Sequence, residues 1–114
     1  MKKIIISLVA LTMTQVAIAR DVSPLTKIVK IYTYKDAAVV KIENPSTNTY
    51  GCTYGNAGEY LAIRFDNTEG REMYSAILSA YMTNTRVSLI SAHCDNVWGS
   101  SKSMNKIYRV DLER

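Results

Sequence analysis

Cys52 and Cys94 are the only cysteines in the chain, and what precedes them makes them the strongest constraint on the fold. The opening MKKIIISLVALTMTQVAIAR has Lys2 and Lys3, then an apolar run from Ile4, then Ala17 and Ala19 spaced as small residues around a signal-peptidase cut. This is the pattern of a secretory signal peptide over residues 1–19, bacterial in its short basic start and short apolar core. A transmembrane anchor would need a longer core than one interrupted by Thr12, Thr14 and Gln15. Export predicts a periplasmic or secreted protein in an oxidising compartment, where an even cysteine count implies one disulfide, Cys52 with Cys94. That bond closes a loop of about 43 residues, worth on the order of 4 kcal/mol in the chain-entropy model. A zinc site is the competing use of these cysteines, but there is no C-x-x-C spacing and a single histidine. No metal and no cofactor are expected.

Residues 20–114 are predicted to be a single domain, close to the lower size at which a hydrophobic core suffices alone, so the disulfide matters. The formal charge of +4 falls to +2 once Lys2 and Lys3 are removed with the leader. So small a charge gives little long-range attraction for nucleic acid or acidic membranes, and neither a nucleic-acid partner nor an integral membrane segment is expected.

Residues 25–34, LTKIVKIYTY, are β-branched and aromatic with no helix-like stripe, and a polar reversal at Lys35 and Asp36 leads into AVVKIE, residues 38–43. The two predict an antiparallel pair of strands. Ile28 and Val29 stand side by side with Ile31 following, which predicts a bulge or a strong bend in the first. Residues 44–58 are rich in Asn, Gly, Ser and Thr and predict a long loop, in which Pro45 spoils a glycosylation sequon at Asn44. Residues 60–65 alternate Leu61, Ile63 and Phe65 against Tyr60, Ala62 and Arg64, the pattern of a half-buried strand.

A helix follows. Asp66, Asn67 and Thr68 can each cap it, and Glu69 and Glu72 put negative charge in its first turn. Met73, Ile77, Ala80 and Tyr81, flanked by Tyr74 and Leu78, form one apolar face, and Asn84 stands where a left-handed residue ends a helix. Residues 86–92 alternate Val87, Leu89 and Ser91 against Ser88, Ile90 and Ala92. Residues 106–112 alternate Tyr108, Val110 and Leu112 against Ile107, Arg109 and Asp111, with a polar loop over 99–103 between. The chain is therefore predicted to be mainly β with one α-helix, in the order strand, strand, strand, helix, strand, strand. That order is expected of a five-stranded OB-fold-like barrel whose helix plugs one end; a meander with the helix on one face uses the same elements.

Residues 78–96, LSAYMTNTRVSLISAHCDN, resemble the helix, turn and fourth strand of Shiga-type toxin B subunits through Leu78, Ser79, Ala80, Thr83, Val87, Cys94 and Asn96. The helix pattern is also similar to subtilase cytotoxin B subunits. The resemblance implies an OB-fold in a homopentameric ring that binds host glycans and carries a separate toxin A subunit. Departures are evident. The Shiga family's other cysteine precedes its first strand, whereas Cys52 precedes the third. Arg71 stands where that family has a glycolipid-supporting aromatic. Thr26 is the nearest counterpart of the first-strand serine that binds sialic acid in the subtilase type, and Ser91 falls on that site's tyrosine.

Eight tyrosines and one tryptophan carry a second clue. Tyrosine offers a flat apolar face to a sugar ring and a hydroxyl to its polar edge, so Tyr32, Tyr34, Tyr50, Tyr54 and Trp98 join Thr26 as candidate glycan- or partner-binding residues. The plain alternative is that tyrosine favours half-buried strands and Trp98 fills a gap in the core. His93 beside Cys94 could pair a thiolate with its base, but neighbours on a strand point to opposite faces and Cys94 is expected to be oxidised. No enzyme is expected. The functional expectation is an exported glycan-binding protein of the toxin B type; the alternative is a stand-alone periplasmic or secreted OB-fold domain that binds a protein partner.

Overall fold

The computed structural model describes residues 20–54 and 58–113; the predicted leader, residues 1–19, lies outside them. Six strands and one helix follow in chain order: β1 Asp21–Val22, β2 Ile28–Thr33, β3 Ala37–Ile42, β4 Tyr60–Arg64, α1 Thr68–Thr83, β5 Val87–Asp95 and β6 Met104–Leu112. They form one mixed sheet in the order β1-β5-β6-β4-β3-β2. All pairings are antiparallel except β4 with β6, which meet in parallel at Leu61 opposite Asn105 and Ala62 opposite Lys106.

Mainly β with one helix is what is found. The expected five-stranded barrel is matched only roughly, since there are six strands and the sheet is not closed. The reason lies in the first expected strand, residues 25–34. Pro24 has no N–H to give to a ladder, and the chain leaves regular pairing around it. The piece before it pairs with β5 (Asp21 opposite Ser91) and the piece after it pairs with β3. Ser23 replaces part of the missing ladder, its Oγ accepting from the Leu89 N–H at 2.8 Å. Thr26 and Val87 exchange backbone hydrogen bonds of 2.9 and 2.8 Å as an isolated bridge. The bulge expected at Ile28 and Val29 is present as a register shift between Ile28 and Lys30.

One face of the sheet carries the main core. Ala38, Val40, Ile42, Leu61, Ile63, Leu89 and Ile107 meet Ile77 and Ala80 of α1 there. Each large aliphatic side chain fully removed from water contributes about 1.5–3 kcal/mol. The helix is set by its ends. Asn67 is the N-cap, its Oδ1 accepting from the Gly70 N–H at 2.6 Å, and Asn84 is the left-handed C-cap with φ 54°. Gly70 is buried against the end of β4, where a Cβ would stand 2.0 Å from the Arg64 carbonyl oxygen. The apolar face is narrower than expected, because Tyr81 and Leu78 are exposed.

The other face of β4 is buried too. Tyr60 and Ala62, expected to be the wetter side of a half-buried strand, join Val39 and Met104 in a second cluster. The long loop after β3 reaches this side and is tied down by the predicted disulfide, Cys52 with Cys94, whose Cα atoms lie 5.7 Å apart. Among the described residues, no helix is long and apolar enough to cross a membrane.

Candidate functional site

Strand alternation puts Lys30 and Tyr32 of β2, Lys41 of β3 and Tyr60 of β4 on the face away from α1. Two loops then bring Tyr54 and Trp98 onto it. The rings interlock edge to face. Trp98 lies 5.3 Å from Tyr32, 5.0 Å from Tyr54 and 5.5 Å from Tyr60 between centroids, and Tyr54 lies 5.0 Å from Tyr60. Such pairs are each worth about 0.5–1.5 kcal/mol beyond the area they bury. The Trp98 indole N–H donates to the Tyr34 hydroxyl at 2.6 Å, which fixes the indole plane and leaves Tyr34 45% exposed at the rim. The Lys30 and Lys41 ammonium groups sit over Tyr32 and Tyr60, 4.5 and 5.5 Å from the ring centroids.

Hydrogen bonds tie the loop that carries Tyr54 to Ser103, just before β6. The Tyr54 N–H donates to the Ser103 carbonyl at 2.9 Å, and the Thr53 N–H donates to the Ser103 hydroxyl at 2.9 Å. Earlier in the same loop, the Thr47 hydroxyl (2.6 Å), the Thr49 hydroxyl (2.5 Å) and the Thr49 N–H (3.0 Å) donate to the buried Asp21 carboxylate of β1. Burial pushes the Asp21 carboxyl up, but these hydrogen bonds together outweigh it and hold the group below its ordinary value of 3.8. The Asn105 amide donates to the Thr47 carbonyl at 2.8 Å. Arg64 and Asp95 form a two-point ion pair, with Nε to Oδ2 at 2.9 Å; this pushes the guanidinium further up from an already high value.

Of the six candidate residues, Tyr32, Tyr34, Tyr54 and Trp98 come together here. Thr26 and Tyr50 do not. Thr26 is 1% exposed; its Oγ1 accepts from the Asn44 N–H at 2.8 Å and lies 3.2 Å from the Lys27 carbonyl as donor. It forms part of the wall of a polar depression with Glu43, Asn44 and Arg86. Tyr50 packs on His93 with ring centroids 4.8 Å apart. Cys94 carries no thiol, because its sulfur is in the disulfide. Tyr60 and the two lysines of the aromatic face were not among the candidates. The available signal was that Lys30, Tyr32, Lys41 and Tyr60 share one face in a β2-β3-β4 meander.

No protein-family model matches the chain, and no curated protein matches it.

Proposed function

We propose that this is an exported, non-enzymatic binding protein that recognises host-cell glycans through the face built on Tyr32, Tyr34, Tyr54, Tyr60 and Trp98. The observation that carries the reading is the Trp98 indole, wedged among three tyrosines and hydrogen-bonded to a fourth at the rim. A preorganised aromatic surface loses little entropy on binding, and the lysine ammonium groups and the Tyr34 hydroxyl supply the polar contacts a saccharide needs.

The architecture we propose for it is a partly open OB-like barrel, with residues 21–33 acting as one bent first strand. Support comes from the parallel β4–β6 pair and from the Thr26–Val87 bridge, which links the middle of that segment to β5. A homopentameric ring that carries a toxin A subunit belongs to the same reading. It is supported by the exposed Leu78, Tyr81 and Met82, spaced as one stripe along α1.

The test is a glycan array probed with the purified oxidised protein. Tyr34→Ala, at the exposed rim, and Trp98→Ala, checked for folding by circular dichroism, are each expected to weaken retention by about 2 kcal/mol, roughly thirtyfold. An array with no bound glycan, or binding that neither substitution changes, would sink the assignment. Thr26→Ala is expected to leave binding at the aromatic face unaltered.

A further inference from the structure

β5 and β6 run in register from Val87 opposite Leu112 to Ile90 opposite Arg109, then slip at Ser91 and again before Cys94. At the first slip Tyr108 of β6 is the extra residue; at the second, Ala92 and His93 of β5 stand opposite Lys106 alone. His93 takes φ 64°, the left-handed region that side chains other than glycine seldom enter, at a cost of about 1–3 kcal/mol even though histidine tolerates it better than most. The Tyr50 ring on one side and the disulfide at Cys94 on the other hold it there. Backbone strain of this kind concentrates where a side chain must be aimed.

The bulge borders a cleft of about 310 Å³, lined by Arg20, Ala92, His93, Lys106 and Tyr108. No carboxylate is among these residues, and neither Arg20 nor Lys106 has an ion-pair partner among the described residues. The Arg20 guanidinium stands over the Tyr108 ring, 5.4 Å from its centroid. The cleft therefore combines a guanidinium, an ammonium, an imidazole and a largely apolar floor. It lies at β5–β6 rather than β2–β4 and shares no residue with the aromatic face; Lys106 and Tyr108 also border a neighbouring depression at the start of α1, where Asp66 and Glu69 stand.

We propose that this cleft is a second binding site, for a saccharide bearing a carboxylate or sulfate. The anionic group meets Arg20 and Lys106, and the sugar ring lies against Ala92 and the Tyr108 ring, with the His93 imidazole as a hydrogen-bonding neighbour. A neutral sugar would make no use of the charge on Arg20 and Lys106, and a free inorganic anion would leave the apolar floor unused. The assignment rests on the cleft's own residues and stands or falls apart from the aromatic face.

The test is a heteronuclear NMR titration of the purified oxidised protein with four probes: a sulfated heparin-derived disaccharide, a uronate-containing disaccharide, lactose and inorganic sulfate. One or both acidic disaccharides are expected to move the resonances of Arg20, Ala92, His93, Lys106 and Tyr108, whereas lactose leaves them in place. Arg20→Ala and Lys106→Ala, both at accessible side chains, should each weaken that binding by about fivefold. His93→Gly should raise the thermal midpoint by relieving the backbone while weakening the acidic sugar. Failure of both acidic probes to bind, or binding that none of the three substitutions alters, overturns the site. Inorganic sulfate binding as tightly as the disaccharides overturns the saccharide assignment. Shifts confined to Tyr34 and Trp98 would report the aromatic face alone and overturn this one.

Discussion

A carboxylate taken out of water destabilises a small protein by several kcal/mol unless donors replace the solvent it gives up. Asp21 is 0% exposed, and its donors come from Thr47 and Thr49, across 26 to 28 residues of chain. It therefore pins the long loop to the first strand. Because the folded group titrates below its ordinary 3.8, it stabilises the folded state above that pH, and the contribution is lost as pH falls through 3.8 toward the lower folded value. Asp21→Asn keeps the shape but sets an amide N–H₂ among donors. Urea unfolding at neutral pH is expected to register a loss of about 2 kcal/mol, and the gap to the parent protein should narrow as pH falls below 3.8. Equal stability of the two proteins at neutral pH would mean that the loop is not anchored there. Nothing in the sequence singles out this residue. A lone aspartate just past a leader reads as surface, and its partners become visible only when the loop folds back.

At the scale of single elements, α1 shows which parts of a helix are legible. Its caps at Asn67 and Asn84 follow from residue type and position, because unpaired end groups and a left-handed turn both need a short polar side chain. Gly70 is different. By helix propensity alone, Gly70→Ala should add about 1 kcal/mol of stability. The Cβ would instead fall 2.0 Å from the Arg64 carbonyl oxygen, backbone that cannot turn aside, so a net loss of about 1–3 kcal/mol in chemical denaturation is expected. A gain would show that the helix start is free to move off β4. Tyr60 and Ala62 are buried against the alternation pattern for a related reason. Alternation reports which face is more apolar, but not whether a loop and a tryptophan from elsewhere in the chain will cover the other face. The break in the first strand is half visible: the bulge at Ile28 can be read from adjacent apolar residues, whereas pairing of the preceding piece with β5 depends on contacts about 70 residues away.

For the molecule as a whole, the disulfide is the long-range link the sequence specified without ambiguity, since two cysteines allow one pairing. Surface chemistry was less legible, because a periodic apolar stripe does not say which part of it faces inward. Ile77 and Ala80 take the core, and Leu78, Tyr81 and Met82, the last 79% exposed, are left outside. Their spacing of three and four residues makes them one patch rather than scattered exceptions. In the proposed ring, that patch is buried between protomers, and its burial is the driving force for assembly. Light scattering after size exclusion should therefore give the mass of a pentamer for the oxidised protein. Leu78→Glu combined with Met82→Glu should yield a folded monomer, because neither side chain belongs to the buried core. Should the unaltered protein run as a monomer at micromolar concentration, the ring would fail, and the stripe would instead become the leading surface for a protein partner.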